Sequence, residues 1–240
     1  MYKLETLEIE FEHTGIKNTI YPVILNDQNE MILIDCGYPN FLPLIKEALE
    51  KKGFNMSNLT KVIITHHDFD HMGSLAQLKR EYPHVKILAS IEDAKYINGE
   101  EKSLRLQQAE SIYPQLSELE KADAKVFHKI LESIESVNVD IELKENDCFP
   151  WCGGVEIIET PGHMPGHISI YVKEFNTLIA GDALVVEDDL LTIANPQYTL
   201  DMDKAKQSIK KLLNYDIDTI ICYHGGIYTK DIKKSLNLIV

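Results

Sequence analysis

Apolar positions along the chain alternate between two spacings, which predict strands and helices in turn. Short apolar runs rich in β-branched residues predict strands, the first of them at 4–11, 20–25 and 31–34. Residues 41–52 instead place their apolar side chains on one helical face and end at Gly53, which predicts a helix with a C-terminal glycine. The first half of the chain therefore has a βαβ-like order with buried strands.

The same two spacings continue along the rest of the chain. They predict further strands at 61–65, 85–89, 139–143, 155–159, 168–172, 177–180 and 218–222, and helices at 73–81, 202–214 and 229–238. Residues 92–138 are polar with narrow apolar stripes at helical spacing, which predicts two or three inserted helices. We expect one domain over 1–240, in which the insertion 92–138 either covers a site or packs against the body of the domain.

The composition indicates a globular protein with an acidic surface. Of the 240 residues, 44% are hydrophobic, and 24 basic against 38 acidic residues give a net charge of −14. Such a charge repels phosphate backbones and anionic lipids, so neither nucleic acid nor a membrane is an expected partner. Because Arg80 and Arg105 are the only arginines, a phosphodiesterase is also disfavoured.

The N-terminus and the lengths of the apolar runs predict where the protein is located and what it binds. The N-terminus is charged throughout, and no apolar run reaches the ~18 residues that a membrane span requires. We therefore predict a cytoplasmic protein that acts on a small-molecule substrate. An apolar face on the insertion leaves a homodimer open.

Candidate chemistry concentrates where the predicted strand 61–65 ends. The stretch THHDFDH, at 65–71, holds three histidines and two aspartates. Like charges held this close cost free energy unless a cation neutralises them. The candidate ligands of this stretch are His66, Asp68, Asp70 and His71.

Three later segments carry a histidine or an aspartate in a similar context. Each follows an apolar run and is flanked by glycine or proline, which predicts a side chain held by a tight turn at a strand end. The segments are TPGHMPGH with His163 and His167, IAGDAL with Asp182, and ICYHGG with His224. Four such loops converging on one face of the protein predict a metal site.

Together these motifs resemble the metallo-β-lactamase superfamily of metallo-hydrolases. The resemblance rests on five motifs in the order of that family: LIDCG at 33–37, THHDFDHMG at 65–73, TPGHMPGH at 160–167, AGDAL at 180–184 and HGG at 224–226. It implies an α/β fold, an αββα sandwich of the metallo-β-lactamase type with a helical insertion. It also implies two divalent metal ions at one edge of the sheets.

The resemblance further implies which residues bind each ion. It assigns to the first site the residues His66, Asp68 and His163. It assigns to the second site the residues Asp70, His71 and His224. Asp182 would bridge the two sites, and Asp35 and His167 match positions that support the ligands.

Position 68 departs from the family motif HxHxDH, which has histidine there. We favour direct ligation by Asp68; entry of His67 into the first site and a weak first site are the alternatives. Zinc is the expected ion, but a set richer in carboxylates shifts the preference toward manganese or iron. The flavodiiron branch of the superfamily resembles the chain at this position and binds iron.

The resemblance implies a metal-dependent hydrolase. In it a hydroxide that bridges the two ions would attack a small ester, lactone or thioester. Asp70 is predicted to take the proton and return it to the leaving group. Two other functions stay open: an iron-dependent oxidoreductase of the same fold, and a non-catalytic metal-binding protein.

Overall fold

The computed structural model describes residues 1–13 and 15–240. The strands of the first half are β1 (Lys3–Thr6), β2 (Ile9–His13), β3 (Ile16–Ile20), β4 (Val23–Asn26), β5 (Met31–Ile34), β6 (Lys61–Ile64) and β7 (Lys86–Ser90). Those of the second half are β8 (Ile141–Leu143), β9 (Cys148–Phe149), β10 (Val155–Glu159), β11 (Ile168–Val172), β12 (Thr177–Gly181), β13 (Val185–Glu187), β14 (Leu190–Thr192), β15 (Thr219–Cys222) and β16 (Gly226–Tyr228). The α-helices are α1 (Leu42–Lys51), α2 (Phe69–Met72), α3 (Leu75–Glu81), α4 (Ile91–Ile97), α5 (Leu104–Ile112), α6 (Glu118–Glu132), α7 (Met202–Leu212) and α8 (Ile232–Ile239).

Two six-stranded sheets form the centre of the fold. The first has the strand order β1-β4-β5-β6-β7-β8, and the second has the order β16-β15-β12-β11-β10-β9. In the first sheet β5, β6, β7 and β8 run parallel, and in the second β12 and β15 run parallel. Because the carboxyl ends of parallel strands lie at one edge of a sheet, the loops that follow these strands are neighbours.

The central strands are buried on both faces. In β6, Ile63 joins the cluster between the two sheets, whereas Val62 and Ile64 join the cluster that contains the apolar faces of α1 and α3. This explains why the sequence shows an unbroken apolar run there instead of an alternation. On the outer face of the second sheet, Leu178 and Ile220 pack with apolar residues of α7 and α8. The layers form the predicted αββα sandwich.

The largest differences from the predicted elements occur near the N-terminus. The predicted strand at 4–11 is two strands, because β1 pairs with β4 and β2 pairs with β3. Between them, the N–H of Leu7 donates to the carbonyl of Pro22 at 2.8 Å. The second of these, β2, pairs with β3, which the apolar pattern does not predict because three of its five residues are exposed. The hairpin of β13 and β14 is likewise absent from the prediction.

The helix predicted at 73–81 is α3, which begins at Leu75, and a short helix that was not predicted, α2, precedes it. The last residues of the histidine-rich stretch are therefore already helical. Gly73 also lies against another segment, since a Cβ atom there would come within 2.3 Å of the backbone nitrogen of Pro39. This close approach fixes the start of α3 beside the loop that follows β5.

The segment 92–138 contains three helices, and the first of them begins one residue earlier. Helices α5 and α6 pack on each other. Ser117 begins α6 with a reciprocal capping box, in which its hydroxyl and the Glu120 carboxylate each bind the other's backbone N–H. Within the described residues, no helix combines the length and the apolar character that crossing a membrane requires.

A large-to-small change at Ile63 tests the packing between the sheets. Ile63 is fully buried there, so Ile63→Ala removes buried surface and leaves a cavity. We expect the free energy of unfolding to fall by about 2–5 kcal/mol in urea titrations. Leu190→Ala, at a position that is 68% exposed, is the matched control and should change it by less than about 0.5 kcal/mol. Equal losses in the two variants would contradict the assigned packing.

Candidate metal centre

The candidate ligands lie at the carboxyl ends of the central parallel strands. His66 follows β6, Asp68 is the N-terminal cap residue of α2, and Asp70 and His71 lie within α2. The second sheet supplies three more, His163 from the loop between β10 and β11, Asp182 after β12 and His224 after β15. The structure thus brings all seven predicted ligands to one edge of the sandwich.

The three residues of the first site converge through one carboxylate oxygen. The Nε2 atom of His66 lies 3.4 Å from Oδ2 of Asp68, and Nε2 of His163 lies 3.0 Å from the same oxygen. All three side chains are buried. Two imidazoles and a carboxylate therefore point into a shared, water-poor space.

The second site has the same character but is more open. The Nε2 atoms of His224 and His71 lie 3.1 Å and 3.7 Å from Oδ2 of Asp70. Asp182 lies between the two sites. Its Oδ1 is 3.4 Å from Nε2 of His71, and its Oδ2 is 3.7 Å from Nε2 of both His163 and His224.

Several of these ligand atoms are buried without a hydrogen-bond partner among the described residues. They are Nε2 of His66, Nε2 of His71 and Oδ1 of Asp182. Burial of an unpartnered polar atom is costly, so such atoms indicate a missing binding partner. Imidazole and carboxylate groups are ligands for zinc, manganese and iron. The donor set therefore fits divalent metal ions.

The charges of the cluster also favour a cation. Burial alone would lower the pKa of His71, but Asp182, Asp35 and Asp70 outweigh it and raise that pKa well above its ordinary value. Burial alone would raise the pKa of Asp182, but His224 and His71 outweigh it and hold that pKa well below its ordinary value. The carboxylates thus favour a positive charge on the ring of His71, and an ion that binds to its Nε2 would displace the proton there.

Comparison with known proteins shows which family the chain belongs to. Residues 19–224 match the sequence profile of the metallo-beta-lactamase superfamily. The chain belongs to this superfamily. Its sequence is 25% identical over 228 residues to the probable metallo-hydrolase YflN of Bacillus subtilis, and the match covers 88% of this chain and 81% of YflN.

Two further members of the superfamily extend the comparison. A hydroxyacylglutathione hydrolase of Rhodopseudomonas palustris is 28% identical over 163 residues, which are 67% of this chain and 46% of that enzyme. The metallo-beta-lactamase family protein TTHA1429 of Thermus thermophilus superposes with a TM-score of 0.69 at 18% identity, covering 98% of this chain and 77% of that structure. The latter likeness shows a shared fold.

Asp35 orients one ligand of the second site. Its Oδ2 accepts a hydrogen bond from Nδ1 of His71 at 2.8 Å, which directs the Nε2 atom of that ring toward Asp70 and Asp182. Thr65 fixes Asp35 in turn, because its N–H and its hydroxyl each donate to the carboxylate at 2.8 Å. This candidate ligand is thus held through the ring nitrogen that faces away from the site.

His167 supports Asp182 from behind without joining the ligand cluster. The N–H of Asp182 donates to Nε2 of His167 at 3.0 Å, so the proton of this neutral ring lies on Nδ1. That nitrogen donates to the hydroxyl of Thr160 at 2.8 Å. Burial, with a smaller effect of His163, lowers the pKa of His167 to about 3, which keeps the ring neutral.

His67 faces away from the first site. Its ring stacks on Tyr96 at a centroid distance of 4.3 Å, and its Nδ1 lies 3.1 Å from Oδ2 of Asp93. The same carboxylate oxygen accepts the backbone N–H of His67 at 2.7 Å. The alternative in which His67 enters the first site therefore does not describe this structure.

Arg105, on α5, is the residue of the site that the motifs do not reveal. Its Nη2 lies 2.6 Å from Oδ2 of Asp68 and its Nε lies 3.1 Å from Oδ1, and it is only 3% exposed. The two residues are 37 positions apart in the sequence, so no local pattern connects them. One signal does exist in the sequence: an extra carboxylate at position 68 requires a cation, and the chain has only two arginines.

A cavity of about 510 Å³ opens over the ligands. Its apolar wall consists mainly of Tyr38, Phe69, Phe127, Val185 and Val186. Phe127 lies on α6, so the insertion contributes both to this wall and, through Arg105, to the first site. The insertion thus reaches the candidate metal centre in addition to packing on the sandwich.

Weakening the bond between Asp35 and His71 should lower metal affinity. Asp35→Asn preserves the shape of the side chain but removes the charge that orients the ring. We expect affinity for the second ion to fall by about 10–100-fold, as measured by competition with a chromophoric chelator. The matched control is Asp203→Asn in the exposed first turn of α7, which should bind like the wild type. An unchanged affinity in Asp35→Asn would contradict the orienting role.

The low pKa of His167 predicts how acid affects stability. The ordinary value is 6.5, so as the pH falls toward 3 the unfolded chain binds a proton that the folded protein does not. The stability due to neutral His167 is fully present above that ordinary value and is lost with decreasing pH, by up to about 1.4 kcal/mol per pH unit.

The variant His167→Gln isolates this effect, because glutamine does not titrate. Urea unfolding of both metal-free proteins between pH 7.5 and 4.5 gives the measurement. We expect the wild type's free energy of unfolding, taken relative to that of the variant, to decrease as the pH is lowered. A difference that is independent of pH would show that folded His167 titrates normally.

Proposed function

We propose that this member of the superfamily is a metal-dependent hydrolase of a small ester, lactone or thioester. The observation that carries the proposal is the cluster of seven candidate ligand side chains beneath a cavity with an apolar wall. Three of their buried atoms have no hydrogen-bond partner in the described part of the chain. A pocket with a few convergent polar groups and apolar walls is typical of a small-molecule site.

Two divalent ions fit the proposal, with zinc expected and manganese or iron as alternatives. The first site would use His66, Asp68 and His163. The second site would use Asp70, His71 and His224, with Asp182 shared between them. Bound divalent ions supply Lewis acidity to a carbonyl group and lower the pKa of water.

Asp70 is the residue that we assign to proton transfer. It lines the cavity, and its Oδ2 is 3.1 Å from Nε2 of His224. The hydroxyl of Tyr223 donates to the backbone carbonyl of Asp70 at 2.6 Å, which fixes the turn that presents the carboxylate. A carboxylate held at the edge of the site can accept a proton and then deliver it to a leaving group.

The cavity and the surface charge support an uncharged or weakly polar substrate. The wall around Phe69 and Phe127 suits an acyl chain or ring, and Glu187 adds negative charge to the lining. A net charge of −14 disfavours nucleic acid and anionic membranes as partners. The related hydroxyacylglutathione hydrolase takes, by its name, a thioester, which supports including thioesters among the candidates. A homodimer formed through an apolar face of the insertion stays a prediction.

An iron-dependent oxidoreductase is the second candidate. The observation that favours it is the carboxylate at position 68, which shifts the ligand set toward harder ions. Elemental analysis of purified protein together with oxygen-consumption measurements separates the two candidates. Bound iron with oxygen uptake would replace the hydrolase proposal, whereas zinc with release of acid or thiol supports it.

Metal removal and one substitution test the hydrolase. Chelation should abolish turnover on a panel of chromogenic esters, lactones and thioesters, and returning zinc, manganese or iron should restore it. Asp70→Asn should lower kcat by about 10²–10⁴-fold, whereas Asp203→Asn should leave it unchanged. Metal content is measured for each variant, because Asp70 is also a ligand. Turnover that survives complete removal of metal from folded protein would refute the proposal.

A further inference from the structure

The carboxylate of Asp68 poses an electrostatic problem for the first site. It is 4% exposed and lies between two histidine rings, in a cluster that already contains Asp70 and Asp182. A histidine at this position would add no charge to the ligand set. An isolated buried carboxylate is costly, and its cost must be met by a nearby cation.

Arg105 meets that cost with a side-on, two-point ion pair. Its Nε and Nη2 donate to Oδ1 and Oδ2 of Asp68 at 3.1 Å and 2.6 Å. The guanidinium is itself fixed, since Nη1 donates to Oε1 of Gln108 at 2.6 Å and Nη2 donates to the carbonyl of Tyr198 at 2.9 Å. A planar guanidinium held this way fixes the plane of its carboxylate partner.

Nη2 of Arg105 faces three acceptors with two hydrogens. Its contacts with Oδ2 of Asp68 at 2.6 Å and with the carbonyl of Tyr198 at 2.9 Å are shorter than its contact with Nε2 of His163 at 3.3 Å. The two shorter hydrogen bonds can use both hydrogens, so the role of Arg105 does not require a bond to the lone pair of His163. A carboxylate oxygen has two lone pairs, so Oδ2 of Asp68 can accept from Arg105 and still face the rings of His66 and His163.

The net charge of the ligand set also indicates that Arg105 compensates the carboxylate of Asp68. The ligand set contains three carboxylates, those of Asp68, Asp70 and Asp182, and Arg105 offsets one of them. The remaining excess of two negative charges equals that of a set with neutral histidine at position 68. The Asp68–Arg105 pair therefore has the same net charge as a neutral imidazole at position 68.

We propose that Arg105 is a positioning residue that makes Asp68 a metal ligand. It holds the carboxylate with Oδ2 directed at His66 and His163 and cancels its charge, so that the first site binds an ion without histidine at position 68. The inference rests on the metal sites of the proposed function and not on its substrate or reaction. It also makes the first site dependent on α5, because the guanidinium comes from the insertion.

The experiment measures metal stoichiometry instead of turnover. Proteins are loaded with zinc, separated from free ion and analysed for metal per chain, and cobalt titrations followed by visible absorption give the number of equivalents bound. We expect two ions in the wild type and one in Arg105→Met, with at least a roughly tenfold loss of affinity at the first site. Arg80→Met is the matched control, since Arg80 forms an exposed two-point pair with Glu135, and it should keep two ions.

A rescue variant separates positioning from a general structural role. In Asp68→His combined with Arg105→Met, a neutral imidazole needs no guanidinium, so two ions should bind again. Asp68→His alone leaves the buried guanidinium unpaired beside the ligands and should bind the first ion more weakly than the double variant. This second comparison decides the question even if Arg105→Met does not fold.

Three results would overturn the inference. The first is two ions bound with wild-type affinity in folded Arg105→Met. The second is one ion in the wild type and a second gained in Arg105→Met, which would show that the guanidinium occupies the first site. The third is a double variant that binds no better than Asp68→His. Failure of the proposed function appears differently, as protein that binds two ions and hydrolyses none of the test substrates.

Discussion

Charge balance at one buried edge of the sandwich is the constraint on which this protein depends. Asp68, Asp70 and Asp182 lie there with about three to four ångströms between their oxygens and the neighbouring imidazole nitrogens. Buried carboxylates this close repel one another unless cations lie among them. A proton on His71, the guanidinium of Arg105 and divalent ions are the cations that the arrangement can use.

The sheets hold this unfavourable cluster together because its residues directly follow buried strands. Ile63 and Ile64 precede His66, and Gly181 ends the strand before Asp182, so the core fixes the backbone on both sides of the centre. Supporting contacts from Asp35 and His167 then fix side-chain orientation. Metal binding and folding are consequently linked, since cations that bind to the assembled ligands offset the free energy that assembling them costs.

The sequence predicts best those parts of the fold whose burial leaves a periodic pattern. The strands at 155–159 and 168–172 coincide with β10 and β11, because both lie in the buried second sheet. By contrast, β3 is not predicted because most of its side chains face solvent and carry no apolar alternation. Apolar periodicity reports burial, so an exposed hairpin gives it no signal.

The same reasoning explains which parts of the centre the sequence reveals. The candidate ligands lie in short motifs where turn residues follow apolar runs, and such local combinations are visible in a single sequence. The pairing of Asp68 with Arg105 is different, because it joins residues 37 positions apart, at the start of α2 and on a helix of the insertion. Electrostatics requires some cation near Asp68, but only the packing of α5 selects which one.

Asp68 therefore depends on the insertion, because Arg105 on α5 compensates its charge. Removing one member of a buried ion pair leaves an uncompensated charge and is strongly destabilising, whereas exchanging both members for neutral groups is often tolerated. Loss of either Asp68 or Arg105 alone would therefore leave a buried charge without the partner that now faces it. Since α6 also contributes Phe127 to the cavity wall, the segment that balances the charge of the first site also shapes the space where a substrate would bind.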